Sequence, residues 1–200
     1  MAVSQRPYHH GNLRAALLAC AERTLSQEGA GELSLRELAR QVGVSHAAPR
    51  RHFPDKQTLL DALAQDGFER LGRDLREAME AAGDQFDARL LAFARAYVAF
   101  ATRHAALLEL MFAGKHRPGA ADSLRTAADR AFAAPLALIT EGQAAGEVIP
   151  GDPERVAIVA WAALQGLASM VNSGMLDGGA TLDDVVADAV HRLVLGLRPR

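Results

Sequence analysis

The residues best suited to chemistry form one short cationic run, Arg50-Arg51-His52, with Lys56 just beyond it and the small or polar residues Ser45, His46, Ala47 and Ala48 just before it. This set suits binding rather than bond-making. Guanidinium and ammonium groups donate to phosphate oxygens and position a protein on a duplex without reading its sequence. Small side chains beside them let a backbone approach base edges. Lys56 falls at what reads as the start of a helix, where a cation opposes the macrodipole. A phosphate at that end would meet free backbone N–H groups as well as the ammonium. Nothing comparable points to catalysis. No nucleophile–base pair, phosphate-cradling glycine loop or metal-ligand cluster stands at a recognisable spacing, and His104 and His116 are isolated. Cys20 is the only cysteine, which excludes an intramolecular disulfide and a cysteine-rich metal site. No cofactor and no metal are expected, and an enzyme acting on a small molecule is only a remote alternative.

The elements that must position these residues lie around Gly43. In the stretch before it, Leu35, Leu38, Ala39 and Val42 repeat at helical spacing. Ser34 serves as N-cap, with Glu37 completing a capping box. Gly43 suits the left-handed end of that helix. Ser45 then reads as a fresh N-cap for a second helix from about His46 to Phe53, stopped by Pro54. Asp55 caps a long helix from Lys56 to about Ala81. Two helices joined by a short glycine turn make a helix-turn-helix, whose second helix can enter the DNA major groove. Ser34, Arg50, Arg51, His52 and Lys56 are then the phosphate contacts. Arg36, Ser45, His46, Ala47 and Ala48 face the bases, where an arginine can pair with guanine and an alanine methyl can touch thymine.

Charge divides the chain in the same place. Residues 1–58 hold eight Lys/Arg against five Asp/Glu, whereas residues 59–200 hold fourteen against nineteen. A basic head of residues 1–58 on an acidic body of residues 59–200 is the asymmetry expected when one end meets phosphate. Arg6, His9 and His10 lie in an N-terminal arm able to reach phosphate. A first helix from about Asn12 to Glu28 completes the head around Phe53. The body reads as helices from about Asp84 to Arg103, Ala105 to Phe112, 120 to 145 with a distortion at Pro135, Pro153 to Met175, and Leu182 to Leu197, with a loop at Gly114–Gly119. No convincing strand and no fixed-period repeat appears, so the fold class is all-α, with about nine helices. Gly67 and Gly72 inside the long helix mark either close helix packing or a place to bend. The N-terminus lacks a signal-peptide pattern, and the apolar run Val156–Val171 is short for a membrane span and holds Gln165 and Ser169. A cytoplasmic protein without membrane contact is expected.

The stretches LSLRELARQVGVS and RRHFPDKQTLLDAL resemble the DNA-binding head of the tetracycline-repressor (TetR) family of bacterial transcription regulators. YHHGNLR, RAYVAFATRHAALLELMF and AWAALQGLASM are similar to the branch of that family named for a Trp-His-Gly signature in its C-terminal domain. Two positions depart from the pattern. Arg50 stands where many relatives carry a phosphate-touching tyrosine, and Gln165 replaces the signature histidine between Trp161 and Gly166. The resemblance implies a homodimer through residues 153–197, with the last two helices pairing with their copies. Such a two-fold dimer implies an inverted-repeat operator on double-stranded DNA.

An acidic, apolar body joined to the head by one long helix suits a ligand switch. A small molecule that fits only the low-affinity arrangement draws the population off DNA. The candidate liners are Phe93, Tyr97, Phe100, Met111, Phe112, Trp161, Gln165 and Met170, although aromatics and methionines at helical spacing are more often core. Tyr97, Trp161 and Gln165 stand out because a buried polar tip needs a partner. The expected function is a DNA-binding transcription regulator, a repressor released by an effector of unknown identity. The alternative is a DNA-binding adaptor whose body binds a protein partner.

Overall fold

The computed structural model describes residues 13–176 and 180–198 of the 200-residue chain. Arg6, His9, His10 and Asn12 lie outside the described residues. Among the described residues there are eight α-helices, one 3-10 turn and no strand. The head is α1 (Leu13–Glu28), α2 (Leu35–Val42) and the turn Pro49–Arg51, followed by the long α3 (Lys56–Ala81). The body continues with α4 (Phe86–Arg103), α5 (Ala105–His116), α6 (Asp122–Ala144), α7 (Pro153–Asn172) and α8 (Ala180–Leu197).

Local chemistry explains the head's boundaries. Ser34 Oγ accepts the Glu37 N–H at 3.2 Å, and Gly43 ends α2 at φ 74°, donating back to Arg40. The capping box is only half made. The Glu37 carboxylate turns down the helix instead, accepting from Arg40 Nε at 2.9 Å and Gln41 Nε2 at 3.1 Å. Those bonds hold its pKa down at about 2. Asp55 caps α3, accepting the Thr58 N–H at 2.7 Å. Leu17, Leu38, Phe53 and Leu59 close the small head core.

The expected helix from His46 to Phe53 is not an α-helix. Ala48 donates to Ser45 O at 2.9 Å, and the only helical stretch is the 3-10 turn Pro49–Arg51. The reason is the position of Pro49. It stands fourth after the Ser45 cap, where its N–H would have made the first i→i−4 bond, and proline has none to give. The count of nine helices thus becomes eight plus this turn.

Two further boundaries differ, those of α5 and α7, while α6 is the single helix expected, with Pro135 inside it. Helix α5 runs on to His116 rather than stopping at Phe112, and Gly114 is buried within it. A Cβ there would lie 3.4 Å from Leu124 Cδ2 and 3.7 Å from Ala64 Cβ. Helix α7 stops at Asn172, where Gly174 turns the chain at φ 74°.

Helix α3 is the spine, packing on α4, α5 and α6. Its glycines mark close approach. A Cβ on Gly72 would lie 2.9 Å from Ala131 Cα, and one on Gly67 would lie 2.6 Å from Met111 Sδ. The head is tied to the body through Glu22 of α1, whose carboxylate lies 2.9 Å from Arg70 Nη2 and 3.1 Å from His104 Nδ1. Helix α8 is pinned to α4 by the bidentate pair Arg95–Asp183, 2.7 Å at both nitrogens.

Helix α7 has an unusual surface. Ala160, Leu164 and Ala168 are buried, yet Ile158 and Val159 are 59% and 64% exposed, as is Leu195 of α8 at 63%. At 20 residues, α7 is longer than the apolar run suggested. It is the one described helix with the length and composition to cross a membrane. Its packing against α4, α6 and α8 makes it part of the helical body.

Candidate nucleic-acid interface and effector cavity

The cationic turn is held outward by its apolar neighbours. Pro49 and Phe53 are buried, and Phe53 anchors the turn to the core. Arg50, Arg51 and His52 are thereby left exposed, together with Ser45, His46 and Ala47, while Ala48 is half-buried. Ser45, Ala48, Arg51 and His52 line one hollow with Leu13 and Val44. Ser34 and Arg36 are exposed at the N-terminus of α2, outside that lining. Lys56 is half-buried, and its Nζ donates to Gly31 O at 2.8 Å. The ammonium therefore ties the α1–α2 loop to the start of α3 and keeps two hydrogens for another acceptor. Sequence reasoning passes over Arg14, whose guanidinium stands 5.7 Å from the Phe53 ring centroid. Its helical position gives no signal, because the partner ring is remote in sequence.

In the body, a cavity of about 510 Å³ opens between α4, α5, α6 and α7. Phe93, Phe112 and Trp161 are on its wall. Phe112 lies 5.3 Å from Trp161 and 6.2 Å from Phe132, centroid to centroid, so three rings from three helices form one side. Phe132 and the rim charges Lys115, His116, Asp129 and Glu154 are not among the sequence candidates. Lys115 and His116 read as loop residues in the sequence, and the extension of α5 carries them to the cavity.

The other five candidates lie elsewhere. Tyr97 is fully buried, stacked on Phe93 at 6.2 Å, and its hydroxyl donates to Gln165 Oε1. Burial pushes the phenol up to about 12, with a weaker opposing influence from the Trp161 indole. That indole N–H is buried and completes no hydrogen bond of its own among the described residues. Phe100 and Met111 are in the core, and Met170 is on the outer face of α7 at 37% exposure. Replacing Tyr97 with Phe leaves the half-buried Gln165 without its donor. A loss of about 1–3 kcal/mol, toward the lower end because water can reach Gln165, is expected in chemical denaturation. A pH effect accompanies it. An unfolded tyrosine ionises near 10 while Tyr97 holds its proton to about 12, so stability is complete below 10 and falls as pH rises to 12. Tyr97→Phe should remove that alkaline component.

A chain that is helical throughout its described elements, with α2 and an outward cationic 3-10 turn about Gly43 and a cavity-bearing helical body, has the make-up of a DNA-binding transcription regulator. Residues 17–63 match the family of bacterial regulatory proteins named for tetR, and residues 90–195 match the tetracyclin repressor-like C-terminal domain. The chain belongs to the TetR family. It is similar along its whole length to a Rhodococcus sp. RHA1 protein of unknown function, at 49% identity and TM-score 0.89, covering 98% of this chain and 100% of that one. It shares the fold of the TetR family regulator PfmR from Thermus thermophilus, at 19% identity and TM-score 0.71, covering 92% and 99%. Among curated relatives it is 32% identical over 111 residues to the nucleoid occlusion factor SlmA of Aliivibrio fischeri, 56% of this chain and 55% of that protein. The chain thus spans about half the length of the curated relatives it matches.

Proposed function

We propose that the protein is a homodimeric, cytoplasmic repressor that binds an inverted-repeat operator and is released by a small apolar effector lodged between α4 and α7, acting by binding and not by catalysis. The observation that carries this reading is the aromatic-walled cavity of about 510 Å³, three of whose walls, α4, α5 and α6, pack directly on α3. That volume lies in the usual range for ligand pockets, and an apolar wall with a few polar rim groups is their usual lining. A ligand that spreads those walls shifts α3, the helix that continues out of the head. Ser34, Arg50, Arg51, His52 and Lys56 hold phosphate, and Arg36 with Ser45 to Ala48 reads bases. We further place the chain in the Trp-His-Gly branch, a reading that rests on the stretches YHHGNLR, RAYVAFATRHAALLELMF and AWAALQGLASM, with Gln165 in place of the signature histidine.

The effector reading is tested by thermal-shift screening of small metabolites on the full chain and on Ala157→Phe, which fills the cavity. Compounds that raise the midpoint of the natural chain and release operator should do neither for the variant. Operator release that persists in the variant would place the effector elsewhere.

Dimerisation is supported by the uncovered apolar faces of α7 and α8. Val159→Asp with Leu195→Asp should convert the protein to a monomer by light scattering at micromolar concentration. Operator affinity should fall with it, because two recognition segments about 34 Å apart need the two-fold axis. The second reading, an adaptor whose body binds a protein, draws on the resemblance to nucleoid occlusion factors. A screen without stabilising compounds, together with an interaction that survives Ala157→Phe, would favour it.

A further inference from the structure

We propose that the cleft between α3 and α6 is a second ligand site, separate from the α4–α7 cavity, which takes a small organic anion carrying an apolar group. Arg73 and Arg76 of α3 and Arg130 of α6 converge on this cleft, with the hydroxyls of Ser123 and Thr126 beside them. All three arginines are exposed, and among the described residues none has a carboxylate within 4.0 Å. Several other arginines of the body are paired. Arg70, Arg89, Arg95, Arg117 and Arg125 each pair with an acid. The one carboxylate on the rim, Glu69, accepts instead from Gln65 Nε2 at 2.9 Å. A body that is acidic as a whole thus holds a cleft where three arginines from two helices stand together without an acidic partner among the described residues.

The packing explains why a cleft exists there. Gly72 lets α3 and α6 touch backbone to backbone at Ala131, so the long side chains on either side of that crossing stand apart. The floor is apolar, with Phe68, Ala127 and Ala131 all buried. Guanidinium forks recognise phosphate or carboxylate through paired N–H donors. The buried ring and alanines beneath them would cover an apolar substituent. The volume, about 370 Å³, suits a small molecule. A duplex backbone is convex, and the cations suited to it stand on the head. An anion seated here touches α3 and α6 together and fixes their relative pose.

Phenyl phosphate is the probe, titrated calorimetrically into the full chain, with phenol as its neutral counterpart. Saturable binding of phenyl phosphate and none of phenol is expected. Arg73→Gln, Arg76→Gln and Arg130→Gln should each weaken binding by about tenfold or more, because each removes hydrogen bonds to a charged group. Arg155→Gln, which removes an exposed arginine outside the cleft, should leave it unchanged. Circular dichroism confirms that the variants fold. Absence of saturable binding, equal loss in Arg155→Gln, or loss on Lys115→Gln instead of the three cleft variants would overturn the proposal. The last outcome would assign the anion to the α4–α7 cavity. Weaker operator binding by the cleft variants without any probe would make these arginines duplex contacts, which also overturns it.

Discussion

With both Arg50 and Arg51 replaced by alanine, operator affinity is expected to fall by about 3–6 kcal/mol for each head on its half-site, the sum of two charge-assisted contacts of about 1.5–3 kcal/mol each. Binding to unrelated duplex should fall in parallel, because phosphate contacts carry no sequence information. The diagnostic reading is the salt dependence. Each phosphate neutralised contributes about 0.9 to the slope of log affinity against log salt, so the double variant should flatten that slope by about two units for each head engaged, close to four for a dimer on both half-sites, in fluorescence anisotropy. The structure makes this a clean test of contact rather than folding. Both side chains are exposed, while the anchors of the turn, Pro49 and Phe53, are buried and untouched. An unchanged slope would remove these two residues from the interface. Arg36→Ala should behave differently, relaxing discrimination at one base pair by about 1–3 kcal/mol with the slope little altered.

The second large effect is expected at Gly72. Alanine is favoured over glycine inside a helix by about 1 kcal/mol, so Gly72→Ala and Gly67→Ala start with the same gain. Their neighbours decide the sign. At Gly67 the new Cβ would meet Met111 Sδ at 2.6 Å, the far end of a flexible side chain that can rotate away. At Gly72 it would meet Ala131 Cα at 2.9 Å, which is backbone, so α3 and α6 must separate. Overpacking of this kind costs about 1–3 kcal/mol, enough to outweigh the propensity gain. Gly72→Ala should therefore lower the denaturation midpoint clearly, and Gly67→Ala should leave it nearly unchanged. Because α3 continues out of the head, Gly72→Ala should also alter operator affinity. Equal midpoints for the two variants would mean that the α3–α6 crossing is looser than its geometry implies.

What can be read from residue order follows the range of the interactions concerned. Ser34, Gly43 and Asp55 are recognisable as helix boundaries because each acts within three or four residues of itself. The long α3 is recognisable from its cap and its periodicity. Pro49 is conspicuous, but its consequence depends on counting from the Ser45 cap, where one register step separates a tolerated proline from one that removes the first helical bond. Gly114 carries the opposite lesson. It looks like a helix terminator, yet it is buried inside α5, in a place where an added side chain would face Leu124 and Ala64, which neighbouring residues in the sequence do not reveal. The cavity is legible only in part for the same reason. Phe93, Phe112 and Trp161 declare themselves as aromatics, whereas Phe132 and the rim charges reach it through the packing of α5 and α6. Tyr97 and Gln165, picked out for their polar tips, satisfy one another behind the wall.

The exposed side of α7 has a consequence for behaviour by mass action. If a second copy covers Ile158 and Val159 as proposed, the folded state is favoured as the number of chains rises. The melting temperature should climb with protein concentration. In a cell, operator occupancy would then depend steeply on the concentration of the chain, and growth without fresh synthesis would thin the regulator out until it left its operator without any signal.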